Sequence, residues 1–132
     1  MLIQIKNTVM KTLFLAMLVG VFFTPTSCKK NQMGGKATLK GKVLHHSKPI
    51  PEAFVYIKYN TTEFPGNDYS KYDTYVRADA NGNYSISFYK GSYYIFASGL
   101  DLDIAAPSTV KGGLSISLRN NEHLTKDIAV TE

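Results

Sequence analysis

Few side chains in this chain have the type and spacing for chemistry. Asp79-Ala80-Asn81-Gly82-Asn83 sets oxygen atoms at alternate positions, as the opening of a calcium loop does. A complete loop of that kind needs Gly at its sixth place and a bidentate Glu at its twelfth. Those places hold Tyr84 and Lys90, so the stretch reads as a turn built on Asp79, Asn81 and Gly82. Asp101 and Asp103 could assist a cation, but two carboxylates that close are ordinarily solvated. His45 and His46 are adjacent, so on a strand they point to opposite faces, and His123 is remote. Without converging ligands they read as surface histidines, and neither a metal nor another cofactor is expected. No G-x-S-x-G, H-E-x-x-H or glycine-rich phosphate loop occurs. No catalytic residue is assigned, and the chain is not expected to be an enzyme.

Tyrosine is the more unusual resource. Tyr59, Phe64, Tyr69, Tyr72 and Tyr75 lie in or beside a loop from Asn60 to Tyr72. Loops longer than about 12 residues without structure of their own are usually functional or disordered. Tyrosine offers a large rigid face with a polar tip, which suits binding surfaces. These five residues are therefore the candidate binding surface, for a protein or for a glycan. The competing reading is that the loop folds back and its aromatics cap an open end of the fold. The chain has no Trp, the residue many sugar platforms use, and that weighs against a glycan.

The only cysteine, Cys28, carries the address. Lys6 and Lys11 are the only charges before it, and Leu13 to Phe23 form an apolar run. A bilayer span needs about 20 apolar residues, so the run is too short for an anchor and has the size of a signal-peptide core. It leads into Thr24-Pro25-Thr26-Ser27-Cys28, which resembles the lipobox of bacterial lipoproteins, with Pro25 where Leu is usual. That resemblance implies a diacylglyceryl thioether on Cys28 and cleavage before it. A free thiol in an oxidising compartment would be a liability, which favours lipidation. Met10-Lys11-Thr12 is an alternative translation start. The expected divisions are residues 1–27 as signal peptide, 28–36 as lipidated cysteine and flexible tether, and 37–132 as the folded domain. The expected home is a Gram-negative envelope, at the outer membrane. The basic excess after Cys28 is mild and scattered, so no nucleic acid is expected as partner. With no second cysteine, burial alone must hold the fold.

Short alternating runs bounded by Gly, Pro, Asn and Asp predict seven strands and no helix. They are Thr38–Leu44, Ala53–Tyr59, Thr74–Ala78, Asn83–Phe88, Ser92–Ala97, Leu114–Arg119 and Leu124–Val130. Most bury one face, which predicts two antiparallel sheets packed face to face, an all-β sandwich. Asn81-Gly82 predicts a type I′ hairpin, and Phe64-Pro65-Gly66 a type II turn with positive φ at Gly66.

Four stretches carry a family likeness: Gly41-Lys42-Val43; Lys48-Pro49-Ile50-Pro51-Glu52-Ala53-Phe54-Val55; Asp79 through Ile86; and Lys90-Gly91-Ser92-Tyr93-Tyr94-Ile95. Together they resemble the carboxypeptidase regulatory-like domains, with their G-x-V, proline turn, A-x-V, D-x-x-G-x-Y and G-x-Y. The resemblance implies a seven-stranded prealbumin-like (transthyretin-like) sandwich with Tyr84 and Tyr93 in the core. It also implies a non-catalytic accessory role beside a membrane, since in the related enzymes catalysis lies in a separate domain. Transthyretin-like hydrolases end in Tyr-Arg-Gly-Ser, whereas this chain ends Ile128-Ala129-Val130-Thr131-Glu132, which disfavours that activity. The expected partner beyond the membrane is an envelope protein, with a glycan as the alternative.

Overall fold

A computed structural model describes residues 28–132. The expected signal peptide, residues 1–27, lies outside the described residues. Among the described residues nine strands form two sheets: β1 Met33–His45, β2 Lys48–Pro49, β3 Phe54–Tyr59, β4 Thr74–Arg77, β5 Asn83–Phe88, β6 Gly91–Leu100, β7 Thr109–Leu118, β8 His123–Thr125 and β9 Ile128–Ala129. The fold is all-β, a sandwich of two sheets dominated by antiparallel pairs.

One sheet is antiparallel throughout, in the order β4-β3-β6-β7. The other is organised on β1, which pairs β5 and then β2 along one edge and β8 and then β9 along the other. Alternation along the strands turns one face of each sheet inward. Leu39 and Val43 of β1 and Ile86 and Phe88 of β5 meet Val55, Ile57, Tyr93 and Ile95 of the facing sheet, all buried. Phe88 and Tyr93 touch across the interface with ring centroids 4.4 Å apart. Burying each such side chain stabilises the fold by about 1.5–3 kcal/mol. The Tyr93 hydroxyl donates to the Tyr89 carbonyl at 2.6 Å, so its polar tip is satisfied.

The strand count and the uniform antiparallel order both need correction. The last expected strand is two short ones, both parallel to β1. They part at Lys126-Asp127, where the Asp127 carboxylate accepts from the Lys42 amide at 2.8 Å in place of a backbone carbonyl. This segment lies close over β1 because residue 41 is Gly: a Cβ there would collide with the Lys126 carbonyl. The extra strand β2 folds back on Leu44 and His45 through a two-residue turn, His46-Ser47. Both residues have positive φ, 47° and 67°, so the type I′ conformation falls here. At Asn81-Gly82 only Gly82 has positive φ, 74°. The Gly82 amide bonds the Asp79 carbonyl at 3.0 Å, and β4 and β5 lie in different sheets, so the turn carries the chain between sheets and closes no hairpin. β1 also starts at Met33, inside the stretch expected as tether. Met33 and Ala37 both face Phe88, so residues 34–36 form an irregularity in the ladder.

Candidate functional site

The same alternation that fills the core turns Phe54 and Tyr56 of β3, Tyr75 of β4, and Tyr94 and Phe96 of β6 outward on the four-stranded sheet. The long loop folds back over this outer face, not over an open end of the sandwich. Asp73 fastens its return, accepting from the Tyr59 amide at 2.7 Å and from Lys58 Nζ at 3.1 Å. Within it Gly66 takes φ of 108°, as the turn reading requires. Tyr69–Lys71 form one turn of 3-10 helix, with the Asp68 carboxylate accepting from the Ser70 amide at 3.0 Å and the Ser70 hydroxyl at 2.7 Å. Those bonds, the hydroxyl's first, hold the Asp68 carboxyl below its usual range.

The five aromatics singled out in the sequence do not share one surface. Tyr59 points to the core side and meets the edge of Tyr93 at 6.1 Å. Tyr72 is buried beneath the loop, stacked on Phe96 at 5.6 Å, with its hydroxyl donating to the Gly66 carbonyl at 2.9 Å. Desolvation pushes its phenol up to about 12. Tyr69 lies flat on Tyr56, centroids 4.5 Å apart and planes 13° apart, and its hydroxyl pairs with Ser98 Oγ at 2.9 Å. Phe64 packs against Tyr94 and Phe96, half exposed. Tyr75 is 57% exposed and meets Phe54, itself 37% exposed, edge to face at 5.6 Å. Phe54 is a surface aromatic that the sequence reading did not single out, although its place between inward Ala53 and Val55 fixes its direction.

One end of this face runs into a groove of about 800 Å³ whose apolar lining includes Phe54, Tyr56, Tyr69, Leu100 and Leu102. A charged cluster supports its lining. His45 was expected on the surface and is 2% exposed, because it continues the inward register of Leu39 and Val43. The burial is tolerated because the chain supplies a partner: His45 Nδ1 lies 2.7 Å from Asp101 Oδ2. Asp101 is buried too, against the expectation of a solvated pair, and its Oδ1 accepts from Lys48 Nζ and from the Asp103 amide, each at 3.0 Å. Lys48 also reaches the Asp103 carboxylate. The His45 bond first, then the Asp103 amide and Lys48, hold the Asp101 carboxyl far below its usual range. His45 Nε2 faces Glu132 at 3.8 Å. Chemically the cluster is a clasp that fixes the Asp101–Asp103 loop to β1 and β2. Among the described residues, no group of three metal-ligating side chains converges.

Asp79 accepts from the amides of Asn81 and Asn83, each at 2.8 Å, and from the Asn83 side chain, which lowers its pKa. Its oxygens are thus spent inside the turn. Cys28 is exposed and lies five residues before β1. The chain matches no protein-family model, and no curated protein matches it significantly.

Proposed function

We propose that this chain is a lipid-anchored module of the bacterial cell envelope that binds another envelope protein through the aromatic outer face of its four-stranded sheet. The fold proposed with it is the prealbumin-like, carboxypeptidase regulatory-like sandwich, on the strength of the sequence likeness and the two-sheet architecture. Anchoring rests on the short apolar run and Cys28. Recovery of both wild type and Cys28→Ser in the soluble periplasmic fraction would overturn it.

The observation that carries the binding reading is the way the exposed rings are used. Tyr69 gives one face to Tyr56 and carries Lys111 Nζ 5.5 Å from its centroid. Phe54 carries the Arg77 guanidinium at 5.3 Å. A sugar stacks on an open ring face, whereas a protein side chain packs against edges and mixed apolar surface. The face therefore favours a protein over the glycan alternative. Photocrosslinking in intact envelopes tests it, with benzoylphenylalanine at position 75 and, as control, at position 40 on the other sheet. A discrete protein adduct is expected from position 75 alone. Equal adducts from both positions, or glycan-array binding that disappears in Phe54→Ser, would reject the protein reading.

A further inference from the structure

Met33 and Ala37 are level in the ladder, so β1 spans about 26 Å from the end nearest Cys28 to the end at His45. The groove lies at the second end, beside Lys48 and Asp101. A site there faces away from whatever holds Cys28, and lipid tails from that membrane lie at the opposite end of the domain. Its walls are apolar and accessible: Leu102 is 82% exposed and Leu100 57%. These leucines and the aromatics that share the lining make a contact surface of a size that ordinarily takes a small ligand or a short side-chain cluster.

The charges around it decide which kind. Lys48 is bonded to Asp101 and Asp103, and Arg77 Nη2 to Glu52 at 2.7 Å. Both cations of the lining already face carboxylates, and each carboxylate faces a cation. An anionic ligand finds no unpaired cation in the lining itself, and a cationic one must break an existing pair. Of the four hydroxyls in the lining, those of Tyr69 and Ser98 are bonded to each other, and Tyr56 and Thr109 contribute the other two. The groove thus offers mainly apolar surface in which every charge is already paired. We infer that it takes an uncharged, apolar segment of the partner protein, one or two bulky side chains seated against Phe54, Tyr56, Tyr69, Leu100 and Leu102. This inference rests on the protein-binding reading of the aromatic face and names what that partner presents.

The test uses the full chain in isolated membranes and a capped pentapeptide, Ser-Leu-X-Leu-Ser, with X the photoreactive benzoylphenylalanine. Two companions replace both serines by Glu or by Lys. Mass spectrometry should place the neutral peptide's adducts within residues 54–58 or 98–103. The Glu peptide should label about tenfold less, because an unpaired charge is costly to desolvate. The double variant Leu100→Asp with Leu102→Asp, both exposed positions, should cut labelling about fivefold with the thermal midpoint unchanged. Equal labelling by a charged companion, adducts elsewhere, indifference to the double variant, or loss of label to competing oligosaccharide would each overturn the inference. If position 75 still captures an envelope protein while the peptide fails, the groove inference falls and the binding face stands. If the peptide labels the groove but position 75 captures nothing, the aromatic face is not the docking surface.

Discussion

A buried histidine and a buried aspartate are costly unless each satisfies the other, and here they do, at 2.7 Å. The consequence is a defined pH dependence. The folded pKa of Asp101 is depressed, so its unfolded form takes up protons first as acid is added. The stability it contributes is fully present above the ordinary carboxylate value of 3.8 and is lost as pH falls below that, toward the depressed folded value. Asp101→Asn should therefore lower the urea midpoint at neutral pH and flatten its fall between pH 5 and about pH 2 relative to wild type. A parallel fall in both proteins would show that other carboxylates govern acid unfolding. Nothing local in the sequence links His45 to Asp101, 56 residues apart, so the pair was not legible. The direction of His45 was: it shares the parity of Leu39 and Val43, and the polar residue type obscured a face that the pattern already defined.

Elements were legible where alternation was clean and obscure where side chains were small. β5, with Tyr84, Ile86 and Phe88 inward, lies where its pattern predicts. β7 begins at Thr109, five residues before the expected start, because Gly112 and Gly113 give no pattern to read. The type I′ turn fell at His46-Ser47, which lacks the Asn or Gly that marks such turns, and the marked pair Asn81-Gly82 adopted another geometry. The long loop was recognised, but its docking on the outer face depends on Tyr56, Tyr94 and Phe96, contributed by other strands. The parallel return of β8 and β9 over β1 rests on one missing side chain. Gly41→Ala puts a methyl group against the Lys126 carbonyl and should cost about 2–3 kcal/mol in urea unfolding. Earlier hydrogen exchange at the Val130 amide, which bonds Leu44, would accompany it. Unchanged stability would mean that the segment moves away without loss.

On the scale of the whole molecule, the expected lipid and the proposed groove sit at opposite ends of β1, and β1 is held on both edges, by β5 and β2 on one and by β8 and β9 on the other. An envelope component fixed at one end to a membrane and at the other to a partner is subject to tension whenever the two move apart. A pull directed along β1 loads its hydrogen-bond ladders in shear, so many bonds must fail together. A pull across an edge strand would open them singly, like a zip. Strand β4, bonded only to β3, is of that second kind. Force spectroscopy should accordingly record a higher rupture force with handles at positions 28 and 102 than with handles at 75 and 102, and equal forces would refute the mechanical reading. With the proposed lipid at one end and the proposed partner at the other, the domain would act as a tension-bearing link, strongest along the line that joins the two.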